Sequence, residues 1–181
     1  LLNAEEIERR FGAIPVSILE GMNLISKVRT KISMSQADNF RDLIVSYSTD
    51  PRIILIKLAD RLEVMRSLAM FPEAKQQKKS WESMNLYAQI AHKLGLYSIK
   101  SELEDIALKY LEPEEYAHIS RKLAESAAER NEFIAGFAAP IREKLDAQGI
   151  RYHIKGRTKS VYSIWRKMKR TGVPFDEVYD I

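Results

Sequence analysis

Apolar residues recur at intervals of three and four through the first 149 positions, with little strict alternation, and this period predicts a succession of helices. Asn3 precedes Ala4, Glu5 and Glu6, so it caps a short helix reaching about Arg10 that Phe11 and Gly12 end. Ile14, Ile18, Met22 and Ile25 carry the pattern on after Pro15, which suits an early helical position. Ser35 to Tyr47 reads as another helix with Phe40, Leu43, Ile44 and Tyr47 on one side. Ser48, Thr49 and Asp50 then lead into Pro51, a good helix start. The segment that follows, with Ile53, Ile54, Ile56, Leu58, Leu62, Met65 and Leu68, is apolar enough to be the central helix of its bundle.

Phe71-Pro72 breaks that helix, and the next runs from about Glu73 to Leu94 with Gly95 as its C-terminal stop. Leu96 to Tyr110 is a further helix, and Pro113 opens a stretch that ends at Gln148 and Gly149. Pro140 inside this stretch is expected to kink or divide it.

At Gly149 the period changes. Ile150, Tyr152 and Ile154 alternate with Arg151, His153 and Lys155, the pattern of a half-buried strand. A helix follows from about Thr158 to Arg170 with Val161, Tyr162, Ile164, Trp165 and Met168 as its apolar stripe, then a second strand from Glu177 to Ile181. The expected fold is therefore mainly α, followed by the first strand, helix and strand of an α/β part. Three elements after position 149 are not expected to enclose a core, so the chain reads as a fragment or an incompletely ordered chain.

Composition narrows the chemistry. The 181 residues are 45% apolar and 30% charged, with no cysteine, which excludes a disulfide framework, thiolate metal sites and cysteine nucleophiles. No apolar run approaches the roughly 20 residues of a membrane span, and no signal peptide opens the chain, so a soluble cytoplasmic protein with no membrane partner is expected. The net charge of +4 is unevenly spread. Arg151 to Thr171 holds eight basic residues and no acid, which points to an anionic ligand.

Within that block, Lys155-Gly156-Arg157-Thr158-Lys159 leads into a helix carrying Ser163 and Lys167. Lys159, Ser163 and Lys167 are four apart and so share a helical face, and backbone N–H groups at the helix start add positive charge for a polyphosphate. The spacing is not that of a Walker loop, and a solvated basic face is the competing reading. Asp60 lies on the most apolar helix; it either pairs with Arg61 or Lys57 or ligates a metal. Asp180, on the strand after the basic helix, is placed to share a divalent cation with phosphates, although a lone strand Asp is usually a strand-end residue. A second class of reading makes the chain a non-catalytic module whose basic helix meets RNA, with Trp165 and Tyr162 as stacking groups. Those aromatics fall on the expected core face, which ranks this reading lower.

Three stretches carry a resemblance to a known family: Ile53 to Leu68, Leu86 to Tyr116 and Ile154 to Ile181. They resemble the RelA/SpoT family of bifunctional enzymes that make and degrade the alarmones guanosine tetra- and pentaphosphate. The resemblance implies three parts: residues 1–111 as the C-terminal half of an HD-type hydrolase domain, 112–149 as connecting helices, and 150–181 as the first edge of a nucleotidyltransferase-like synthetase domain. It also implies Mg2+-dependent transfer of pyrophosphate from ATP to the 3′ hydroxyl of GDP or GTP. ATP phosphates would then meet Arg157, Lys159, Ser163 and Lys167, and Mg2+ would meet Asp180. Contact with the ribosome or tRNA would belong to the full-length protein. On the hydrolase side only Asp60 matches the family's Mn2+ ligands. Where hydrolysing relatives read Leu-His-Asn-Met-Arg this chain reads Leu62-Glu63-Val64-Met65-Arg66, which points to a degenerate site for ppGpp.

Overall fold

A computed structural model describes residues 3–29, 50–156 and 158–178. The helix expected at 35–47 lies outside the described residues. The chain divides into two compact units, Leu1–Leu111 and Glu112–Ile181.

In the first unit, α1 (Ala4–Phe11) starts at Asn3, whose side-chain oxygen accepts the Glu6 N–H at 2.8 Å. α2 (Ala13–Arg29) follows at once, and α3 (Pro51–Arg66) is capped by Asp50, which accepts the Arg52 N–H at 2.9 Å. Pro51 sits at the first helical position, where its missing N–H leaves nothing unsatisfied. Gly21 lets α2 close on α3, since a Cβ there would collide with the Ile53 side chain. After a 3-10 turn at Leu68–Met70 come α4 (Glu73–Glu82), a π turn at Ser83–Tyr87 and α5 (Ala88–Lys93), which together fill the span read from sequence as one helix. α6 (Tyr97–Leu111) completes the unit and packs on α3, α4, the π turn and α5.

The core of this unit is Leu58, Met65, Leu68, Ile90 and Leu103, all essentially buried. Each such side chain contributes about 1.5 to 3 kcal/mol on leaving water. α3 buries Ile53, Ile54, Leu58, Leu62 and Met65 on one face. Its other face presents Leu55 and Ile56 at 48% and 40% exposure, so among the described residues it is not enclosed all round as expected.

The second unit contains α7 (Pro113–Glu125), α8 (Ala127–Ala147), α9 (Val161–Thr171) and a single turn, α10 (Phe175–Val178). Ile119, Ile164, Phe175 and Val178 form its core, with Leu123, Val161, Trp165 and Met168 packed around them. The long helical stretch is divided at Ser126 rather than at Pro140, which lies inside α8. Pro140 and Gly136, the residue whose carbonyl it leaves without a donor, are both exposed, so water can take the freed acceptor.

Neither expected strand forms among the described residues. Residues 150–156 and 158–160 form neither strand nor helix, because alternation makes a strand only where another chain segment supplies the hydrogen-bond ladder. Phe175–Val178 is helical instead. Pro174 opens the turn, its carbonyl accepting the Glu177 and Val178 N–H groups, and the three-residue spacing turns Phe175 and Val178 into the core together.

Candidate functional site

The basic segment is built on α8 and α9. Gly156 passes close to α8, where an added Cβ would lie 3.0 Å from an Ile134 methyl, so a glycine suits this approach. Lys155 and Lys159, ahead of the helix, are exposed. Ser160 then caps α9: its hydroxyl accepts the Ser163 N–H at 3.3 Å and lies 2.8 Å from the Ser163 hydroxyl. Because α9 begins at Val161, Lys159 precedes the helix and does not share its face, contrary to the expected stack. Ser163 and Lys167, four apart on α9 and both half-buried, do share one. Arg157 and Asp180 lie outside the described residues. The opposite side of α9 carries Ile164 in the core, and Tyr162 and Trp165 lie 5.7 Å apart between ring centroids. Lys169 is held by Glu115 at 3.0 Å and Gly172 closes the helix at φ +71°. The arrangement leaves a capped helix start with a lysine before it and a lysine one turn and a half inside, chemistry suited to an anion.

The second candidate is the outer face of α3. Asp60 and Glu63 are exposed there and Val64 is half-buried beside them. Arg61 turns the other way, into the core, so Asp60 does not pair with it. The Arg61 guanidinium donates to Glu82 at 2.9 Å and lies 4.2 Å from the Tyr87 ring centroid. Glu82, the last residue of α4, and Tyr87, the last of the π turn, meet the same guanidinium, an arrangement that no sequence signal announced. Arg66, at the end of α3, forks onto Glu102 of α6 at 2.6 and 3.0 Å. Among the described residues no three His, Asp or Glu side chains converge to hold a metal. His92, His118 and His153 are all exposed, and His92 meets the Tyr97 ring edge-on. No described helix is long and apolar enough to cross a membrane.

The family model described as HD domain matches residues 1–97, and the chain belongs to that family. Along its whole length it is similar to proteins of the RelA/SpoT type. It is 43% identical over 178 residues to the guanosine-3′,5′-bis(diphosphate) 3′-pyrophosphohydrolase of Aquifex aeolicus, 98% of this chain and 25% of that protein. It is 38% identical to the GTP pyrophosphokinase of Myxococcus xanthus and 31% identical to that of Escherichia coli K12, covering 100% of this chain and 24% and 25% of theirs. The chain thus spans about a quarter of the length of the curated relatives it matches.

Proposed function

We propose that this chain is part of an alarmone enzyme that transfers pyrophosphate from ATP to the 3′ hydroxyl of GDP or GTP. In this reading, residues 150–181 begin the synthetase domain, residues 112–149 connect it and residues 1–111 are the second half of a hydrolase domain. The observation that carries the proposal is the start of α9, which Ser160 caps, with exposed Lys159 ahead of it and Ser163 and Lys167 on one of its faces, in a chain similar throughout to named GTP pyrophosphokinases. Arg157, Lys159 and Lys167 would bind the ATP phosphates and stabilise charge developing on the transferred group, and Ser163 would add a hydroxyl contact. Magnesium held by Asp180 would supply further charge neutralisation.

The longer protein should lose most synthesis on Arg157→Ala or Asp180→Ala, while Arg166→Ala, on the exposed side of α9, should leave it active. Normal turnover of ATP and GDP by the first two variants would overturn the assignment. The RNA-binding alternative is weaker, because Trp165 packs in the second core instead of offering a free ring face.

The outer face of α3 supports a degenerate hydrolase. Val64 has no group to hydrogen-bond a nucleotide and Glu63 adds a carboxylate where an anionic ligand would approach. In this reading Asp60 is a remnant of the manganese site.

A further inference from the structure

Two hydroxyls sit together at the start of α9. Ser160, the residue before the helix, has extended backbone, and its Oγ accepts the Ser163 N–H at 3.3 Å. The same Oγ lies 2.8 Å from the Ser163 Oγ, a hydrogen bond in which either oxygen has the geometry to donate. Both side chains are half-buried. A serine hydroxyl carries one proton and two lone pairs, so the pair has two protons to place, one of which lies between the two oxygens. If Ser163 donates to Ser160, its proton stays inside the pair and only lone pairs are left for a ligand. If Ser160 donates to Ser163, the Ser163 proton is free to point outward.

We propose that Ser160 is a positioning residue that sets the direction of this hydrogen bond: it donates to the Ser163 Oγ, so that the Ser163 hydroxyl donates outward to a phosphate oxygen. The inference rests on the proposed reading of α9 as the element that meets the ATP phosphates. An ionised phosphate oxygen only accepts, so Ser163 can serve it only as a donor. The Ser163 oxygen keeps a lone pair for the Ser160 proton, and the 2.8 Å separation is that of a good O–H···O bond. A chain from Ser160 through Ser163 to phosphate polarises each link in the same sense, which strengthens the last one. Because the Ser160 Oγ also accepts the Ser163 N–H, one oxygen holds both the backbone and the side chain of the residue that meets the ligand.

Pyrophosphate transfer from ATP to GDP by the longer protein, measured against ATP concentration, tests the inference. Ser160→Gly keeps the helix start at little cost and removes the hydroxyl. It should raise the KM for ATP about fivefold with kcat within about twofold, the mark of weakened binding rather than lost chemistry. Ser160→Thr retains both cap and proton and should stay within about twofold of the parent. Ser160→Asp caps the helix as well as serine does but brings no proton, so it should hold the Tm and still raise the KM at least as far as Ser160→Gly. In a Ser163→Ala background Ser160→Gly should cost less than about twofold, since the hydroxyl it orients is gone. A Ser160→Asp variant that uses ATP as well as the parent would show that Ser160 is a cap alone and overturn the inference. An equal cost of Ser160→Gly with and without the Ser163 hydroxyl would overturn it too, and both results would leave the reading of the site standing. A normal KM for Ser163→Ala together with normal turnover by Arg157→Ala would overturn that reading, and the inference with it.

Discussion

Arg61 and Glu82 form an ion pair across 2.9 Å inside the first unit, with side-chain exposures of only 4% and 10%. Arg61 stands between two outward residues, Asp60 and Glu63 on one side of α3, and its inward anchor fixes which way that helix faces. The second guanidinium nitrogen, Nη1, is buried without a hydrogen-bond partner, so the pair is costly to hold and costlier to break.

Removing one partner should therefore be severe. Arg61→Ala or Glu82→Ala should each cost about 3 to 5 kcal/mol in urea unfolding, because each leaves an uncompensated buried charge. Replacing both together, Arg61→Met with Glu82→Leu, should cost far less than the two singles combined. A single variant within about 0.5 kcal/mol of the parent would show that the pair is not buried in solution.

Asp50 links α3 to pH. The Arg52 side chain, and then the Arg52 N–H, hold its carboxyl below the ordinary value of 3.8. The folded form thus binds the proton less well than the unfolded chain. This contribution is complete above about pH 4 and lost as the pH falls through the lowered folded value. Asp50→Asn should keep the cap and flatten the acid limb of the stability curve, whereas Asp50→Ala should also lower the Tm at neutral pH. Thermal melts from pH 2 to 7 measure both.

Gly172 closes α9 at φ +71° with open space around its Cβ position. Gly172→Ala should destabilise the second unit by about 1 kcal/mol through backbone strain alone. The melting transition followed at Trp165 reports it, and an unchanged midpoint would mean that the cap relaxes.

On the proposed function, the longer protein should hydrolyse the alarmone weakly. Glu63→His with Val64→Asn should raise whatever rate exists, since each present residue weakens nucleotide binding by about 1 to 3 kcal/mol. Strong manganese-dependent release of pyrophosphate by the unmodified protein would return Asp60 from remnant to working ligand.

The sequence alone determined what depends on neighbours in the chain. Asn3 as a cap, Pro51 and Pro113 as helix starts, and Gly95 and Gly149 as stops were all legible, because caps and left-handed turns are local chemistry. The shared face of Ser163 and Lys167 follows from their spacing of four, whereas Lys159, expected on the same face, precedes the helix because Ser160 caps it. The tertiary structure decided whatever needed a distant partner. Ile150 to Lys155 has strand alternation but no ladder, so it does not form a strand. Phe175 and Val178 are helical because the second core takes both from one side. Arg61 turns from Asp60, its neighbour, to Glu82, 21 residues away, because the end of α4 and the π turn after it present Glu82 and Tyr87 together to a guanidinium already out of water. Local pattern sets where a helix begins and ends, and only packing sets which of its charges are buried.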